Sequence, residues 1–196
     1  IRFVLCRGGA TTAGSHLGLS DAPIKNEPIE TMLERLKDTL HRWHDPSPYS
    51  MRRLVVAPTS LVHGCEPAHL KELGAFAREH GLKRHSHGLE VVRGEEVAQA
   101  KYAKSAINYA EEAGWLGDDV WYAHLVHVDD RALAKLAETR TGIAHCPTSN
   151  CRLGSGVSPV PAMARAGVPV SIGVDGSASA ESGSMANEAM LAWLLH

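Results

Sequence analysis

The stretch Asp119–Ala137 reads DVWYAHLVHVDDRALAKLA and joins two different patterns. Its first part is rich in valine and aromatic residues, which favour a β-strand. Its second part opens on Asp129, and an acidic residue is favoured at the positive end of a helix. A strand followed by a helix is the β/α unit from which parallel sheets are built. A histidine, His124, lies where the strand pattern ends.

The same alternation of strand and helix repeats along the chain. The predicted strands are Arg2–Cys6, Arg53–Ala57, Leu82–His87, Asp119–Leu125, Gly142–His145 and Val168–Val174. The predicted helices are Glu27–Trp43, Pro67–His80, Gln99–Ala113, Asp129–Ala137, Pro159–Ala166 and Glu181–Leu195. Six such units predict an α/β fold with a parallel sheet and right-handed crossovers. The pattern alone leaves two architectures open, a doubly wound sheet and a (β/α)8 barrel, although the dinucleotide fingerprint GxGxxG is missing and a barrel needs eight units.

The composition is that of a soluble globular protein. The 196 residues are 44% hydrophobic and 21% charged, with a formal net charge of -2. This charge gives no reason to expect a nucleic acid or an anionic membrane as partner, and no apolar run approaches the roughly 20 residues that span a bilayer. The four cysteines form no CxxC pair, which favours a reducing, cytoplasmic location.

Ionisable residues recur where the predicted strands end. They are Arg7, His87 with Glu90, His124, His145 and Asp175. Taken singly, a histidine here is explained by packing and an Asp-Gly pair by a turn. Their recurrence favours a site, because the carboxyl ends of barrel strands carry the active residues. Neutral imidazole and carboxylate together suit Zn(II) or Fe(II), and twelve histidines are many for a chain of this length.

Four motifs carry a resemblance to a known family. HSHGLE, AHLVHVD, GIAHCPTSN and GVDGSAS occur in this order, and together they resemble the amidohydrolase superfamily, in its cytosine/guanine-deaminase-like branch. The resemblance covers essentially all of the chain. It implies a (β/α)8 TIM-type barrel of the metal-dependent hydrolase kind, of which residues 1–196 supply about six β/α units, strands 3 to 8, as a partial catalytic domain.

The resemblance also implies what this chain lacks. Strands 1 and 2, the H-x-H ligand pair of strand 1 and the small terminal β-domain are expected to lie outside the 196 residues. The chain is therefore expected to be part of a longer enzyme and inactive alone.

The resemblance assigns roles to the residues at the strand ends. It implies His87 and Asp175 as ligands of one divalent metal, zinc or iron, with Asp175 also acting as a base. Glu90 is implied as the proton shuttle to the ring nitrogen and then to the leaving amine. His124 would lie beside the metal-bound hydroxide and polarise the substrate.

Substrate contacts follow from the same comparison. Glu90 and His124 would contact the substrate, and Arg7 would contact a ring carbonyl. His145 and Asn150 are expected to hold the loop after their strand in shape. The identity of the ring is expected to depend on the loops Gly8–Asn26 and Thr59–Cys65.

The function so implied is a metal-dependent hydrolytic deaminase of an amino-substituted nitrogen heterocycle, purine-like or pterin-like, which releases ammonia. The expected partner is a small heterocycle, with neither nucleic acid nor membrane, and a homo-oligomer is left open. One alternative is another amidohydrolase that acts on C–N or C–Cl bonds of a triazine or an imidazolone. The other is a non-catalytic barrel remnant, which an H-x-H upstream of Ile1 would exclude.

Overall fold

The computed structural model describes residues 2–12 and 26–196. Over these ranges the chain forms six β-strands and ten helices. It divides into two compact units, the first of Ile1–Ser86 with Ala113–Trp115 and the second of His87–Glu112 with Leu116–His196.

The first unit is built around a central strand. Its elements are β1 (Phe3–Arg7), α1 (Ile29–Trp43), β2 (Arg52–Val56), α2 (Leu61–Gly64), α3 (Pro67–Glu79) and the first part of β3 (Lys83–Gly88). β2 pairs in parallel with β1 and with β3. Its residues Leu54–Val56 are buried, and α1 and α3 both contact it. Gly8 comes directly after β1, and its backbone lies close to the backbone of Ala57. An added Cβ at Gly8 would be 1.8 Å from the Ala57 carbonyl oxygen, so only glycine fits there.

The second unit has the same construction. Its elements are α4 (Val92–Tyr102), α5 (Ala106–Glu112), β4 (Val120–His124), α6 (Asp130–Thr139), β5 (Gly142–His145), α7 (Pro147–Leu153), α8 (Val160–Arg165), β6 (Val170–Ile172), α9 (Ser177–Ala180) and α10 (Met185–Leu195). β5 pairs in parallel with β4 and with β6. Tyr122 of β4 lies opposite Ile143 of β5, and both are buried.

The quoted stretch forms the expected unit. β4 ends at His124, and α6 begins directly after Asp129. The Asp129 carboxylate accepts a hydrogen bond of 2.7 Å from the Ala132 backbone N–H, which satisfies one of the unpaired donors at the helix start.

Two predicted segments have different local structure. The predicted helix Gln99–Ala113 is wrong as one element, because Ala103 adopts a left-handed conformation (φ 52°) and separates α4 from α5. The predicted elements also leave residues 147–153 without a helix, but these residues form α7. Pro147 at the first helical position and a left-handed Gly154 after the last one bound this helix.

The fold class is nevertheless as predicted. Parallel strands alternate with helices, and six β/α units are present in the described ranges. No helix there combines the length with the apolar composition that crossing a membrane requires.

The close packing of Gly88 on Tyr122 gives a stability prediction. A Cβ at Gly88 would lie 3.0 Å from the Tyr122 ring, which is itself buried. Gly88→Ala should therefore lower the free energy of unfolding by about 1–3 kcal/mol, measured by urea denaturation. The control is Gly94→Ala in α4, where an added Cβ meets nothing within 4 Å and where alanine should gain up to about 1 kcal/mol. Equal stability of the two variants would contradict the packing argument.

Candidate functional site

Backbone hydrogen bonds bring the ends of two strands together. The N–H of Leu125 donates to the Gly88 carbonyl at 3.1 Å, and the N–H of Val126 donates to the Leu89 carbonyl at 3.0 Å. The segment after β3 is thereby held against the segment after β4. As a result, Glu90 lies beside His124.

The backbone at the site is left-handed at several non-glycine residues. φ is 48° at Leu89, 75° at His124, 42° at Leu125 and 65° at Asp175. Such residues are uncommon, each costs of order 1–3 kcal/mol, and they cluster at functional sites. Their side chains are aimed in directions that a regular strand end would not give.

Three predicted side chains surround the imidazole of His124. Its Nε2 lies 3.7 Å from Glu90 Oε2 and 4.0 Å from Asp175 Oδ2. The ring of His87 is stacked on it, with centroids 5.4 Å apart. His124 is almost fully buried, whereas each of the two carboxylate side chains is 27% exposed. The structure therefore brings His87, Glu90, His124 and Asp175 together, and their chemical roles remain predictions.

Asp175 is held by two hydroxyl groups. Ser149 Oγ donates to Asp175 Oδ2 at 2.6 Å, and Ser179 Oγ donates to the same oxygen at 3.3 Å. Burial works to raise the pKa of Asp175, but hydrogen bonds from Ser149, the Gly176 backbone and Ser179, with the charge of His124, outweigh it. The pKa of this carboxyl is consequently below its ordinary value, and Asp175 is ionised at neutral pH.

His124 is held on its other side by Asn150. The His124 Nδ1 and the Asn150 Oδ1 are 2.8 Å apart, and both residues are buried. Sequence reasoning assigned Asn150 to the shape of a loop and passed over Ser149. The two are adjacent in α7 and contact His124 and Asp175, respectively. The polar triplet TSN in the quoted motif GIAHCPTSN was the available signal for them.

His145 contacts a different partner. Its Nε2 lies 3.3 Å from the Nε2 of His196, with the two rings tilted and their centroids 5.2 Å apart. The side chain of His145 is buried. Burial first, then the nearby His196 and His124, lowers the pKa of His145 to about 4.

Arg7 lies in the first unit, at the end of β1. Its guanidinium contacts both carboxylate oxygens of Glu27, at 3.0 and 2.9 Å, and Glu27 also pairs with Arg35. These three residues line a cavity of about 740 Å³ within that unit. The role of Arg7 in binding substrate remains a prediction. The expectation that the loop 8–26 sets specificity concerns mainly residues 13–25, which lie outside the described ranges.

The donors at the site match a zinc ion in kind. Zinc is bound by imidazole nitrogen and carboxylate oxygen, and His87 and Asp175 supply one of each. Within residues 2–12 and 26–196, no group of three or more His, Cys, Asp or Glu side chains is arranged to hold a metal ion. The described residues thus fit part of a ligand set.

Comparison with known proteins finds sequences that are similar to this chain over nearly its whole length. The model of the amidohydrolase family matches residues 10–196. An isoxanthopterin deaminase from an unknown prokaryotic organism is 47% identical over 99% of this chain and 40% of its own length. A hydroxydechloroatrazine ethylaminohydrolase of Pseudomonas sp. (strain ADP) is 39% identical over 100% of this chain and 40% of its own length. An 8-oxoguanine deaminase of Pseudomonas aeruginosa is 31% identical over 100% of this chain and 43% of its own length.

Solved structures show the same fold. The atrazine chlorohydrolase of Arthrobacter aurescens TC1, crystallised with zinc, has a TM-score of 0.85 at 26% identity and covers 93% of this chain and 40% of its own. This likeness and the six parallel β/α units confirm the predicted fold class. The chain spans about 40% of the length of the curated relatives named above.

The buried imidazole of His145 predicts how stability depends on pH. Between about pH 6.5 and pH 4 the unfolded chain binds a proton at this residue and the folded chain does not. The His145 contribution to stability is therefore complete above pH 6.5 and declines by roughly 3 kcal/mol as the pH falls to 4. In His145→Gln, the free energy of unfolding, measured by urea denaturation at a series of pH values, should decline less steeply as the pH falls from 6.5 to 4. The exposed His127→Gln is the control, and a slope in His145→Gln equal to that of the unmodified protein would refute the assignment.

Proposed function

The chain belongs to the amidohydrolase family, and we propose that it carries the catalytic residues of a metal-dependent hydrolytic deaminase. The substrate is an amino-substituted nitrogen heterocycle of the pterin or purine kind. Water adds to the ring carbon that bears the amino group, the C–N bond to that group breaks, and ammonia leaves.

One observation carries this proposal, the placement of two carboxylates near the same nitrogen of one imidazole. Glu90 Oε2 and Asp175 Oδ2 lie 3.7 and 4.0 Å from the same His124 Nε2. Hydrolytic deamination needs one group that takes a proton from water and one that gives a proton to the ring and to the leaving amine. Two carboxylates in partly exposed positions around a shared point meet this requirement.

The two carboxylates have different roles in proton transfer. Asp175 is ionised at neutral pH because Ser149 and Ser179 hydrogen-bond to it. It therefore accepts the proton of the attacking water. Glu90 donates a proton to the ring nitrogen, takes one from the added hydroxyl group and passes it to the departing amine. The proton held by Asp175 then returns to Glu90 through water, which restores both carboxyl groups. His124 Nε2 faces the carbon under attack and hydrogen-bonds to the oxygen that adds.

A divalent metal fits this scheme, with His87 and Asp175 as two of its ligands. When bound, such an ion lowers the pKa of a coordinated water towards 7. We assign one ion, zinc or iron, and the zinc in the crystallised atrazine chlorohydrolase supports zinc.

The relatives support the substrate class. An isoxanthopterin deaminase and an 8-oxoguanine deaminase both match nearly the whole chain. Arg7 would contact a ring carbonyl in such a substrate. A triazine is the second candidate, because the hydroxydechloroatrazine ethylaminohydrolase also matches over the full chain.

We also place the enzyme in the cytoplasm. The support is that Cys6, Cys65, Cys146 and Cys151 are all free thiols, which is the usual state in a reducing compartment.

A release assay tests the proposed reaction. The intact protein that carries these residues, loaded with zinc, would be incubated with aminopterins, 8-oxoguanine, other aminopurines, cytosine and triazines. Ammonia release from a pterin or purine is the expected result. Chloride or alkylamine release from triazines alone would favour the second candidate, and no release from any ring would overturn deamination.

The role of Glu90 gives a sharper test in the same protein. Glu90→Gln removes the shuttled proton but keeps the shape, so kcat should fall by about 10²–10⁴-fold, while zinc content by elemental analysis should be unchanged. The matched control is Glu96→Gln, an exposed glutamate of α4, which should retain kcat. Turnover in Glu90→Gln within about twofold of the unmodified protein would refute the assigned role.

A further inference from the structure

We propose that Asn150 is a positioning residue that fixes the tautomer and the orientation of His124. An amide oxygen can only accept a hydrogen bond. Because Asn150 Oδ1 lies 2.8 Å from His124 Nδ1, Nδ1 carries the proton. In the neutral ring, Nε2 then carries the lone pair, on the side of Glu90 and Asp175.

The backbone of His124 explains why such a contact is needed. His124 and Leu125 are both left-handed, with φ of 75° and 42°. The direction of the ring is therefore not set by regular strand geometry. A buried hydrogen bond from His124 to a fixed neighbour supplies the missing constraint, and His124 is 1% exposed.

Asn150 is itself rigidly placed. Its N–H donates to the Cys146 carbonyl at 2.9 Å, and its carbonyl accepts from the Ser155 N–H at 2.9 Å. At the start of the same helix, Glu188, which is 1% exposed, accepts a hydrogen bond from the Thr148 N–H at 3.2 Å. Helix α7 is thus held at both ends.

The side chain of Asn150 is committed to this one contact. Its Nδ2 is buried and, within the described ranges, has no hydrogen-bond partner, which is unfavourable for stability. A residue chosen for stability alone would not leave that group unpaired. The neighbouring Ser149 holds Asp175 from the same turn, so one short helix orients both the imidazole and one carboxylate.

The catalytic consequence rests on the proposed function, whereas the tautomer does not. With Nδ1 protonated, Nε2 is presented as the hydrogen-bond acceptor at the reacting centre. Loss of Asn150 would let the ring rotate and exchange tautomers. Such a displacement costs on the order of 10²-fold in kcat with little change in KM.

The test compares two substitutions close in size to asparagine, in the intact zinc-loaded protein. Asn150→Asp keeps an acceptor oxygen, and Asn150→Leu removes it. Long-range ¹H–¹⁵N NMR of ¹⁵N-histidine-labelled protein reports which ring nitrogen carries the proton, and His124→Gln identifies the signal. The unmodified protein and Asn150→Asp should show a protonated Nδ1, whereas Asn150→Leu should show mixed or Nε2-protonated ring.

Kinetics on the substrate found by the release assay complete the test. Asn150→Leu should lose about 10²-fold in kcat with KM within about twofold, and Asn150→Asp should recover part of the loss. The exposed Asn187→Asp of α10 is the control and should behave as the unmodified protein.

An Nε2-protonated His124 in the unmodified protein would overturn the inference, as would a Leu variant with unchanged tautomer and kcat. If Asn150→Leu fails to fold, the NMR spectra of the unmodified protein and of Asn150→Asp decide. A confirmed tautomer in a protein that releases no ammonia would refute the proposed function alone.

Discussion

The backbone hydrogen bonds from Leu125 and Val126 to the carbonyls of Gly88 and Leu89 are the interaction on which the site depends. They hold the segment that follows β3 against the segment that follows β4. Without them, Glu90 would have no fixed position relative to His124. The left-handed conformations of Leu89, His124 and Leu125 accompany this contact. Their energetic cost is tolerated because it aims the side chains at a common point.

Polar residues behind the ionisable groups fix the orientation of those groups by hydrogen bonds. Ser149 holds Asp175 and keeps its pKa low, and Asn150 holds His124. Both come from α7, which Glu188 anchors to α10. The ionisable groups are thus oriented by the buried residues Ser149 and Asn150, which is the arrangement expected of a preorganised site.

Much of this could be predicted from sequence, for a physical reason. Parallel strands end at the same edge of a sheet, so His87, His124 and Asp175 could be expected to converge once β3, β4 and β6 were recognised. Valine-rich and aromatic runs made those strands visible. The supporting residues could not be found in this way. Helix α7 has seven residues, too few for a helical period to show, and the contacts of Ser149 and Asn150 span 26 positions of sequence each. Positive φ at His124 and Asp175 has no sequence signal either, since neither is glycine.

The most direct test of the account is an anomalous-difference map at the zinc absorption edge, from crystals of the intact, zinc-loaded protein. The account predicts one peak about 2.0–2.2 Å from a ring nitrogen of His87 and from a carboxylate oxygen of Asp175. It also predicts that His124 remains bonded to Asn150. A zinc peak elsewhere, with both His87 and Asp175 uncoordinated in a catalytically active crystal, would contradict it.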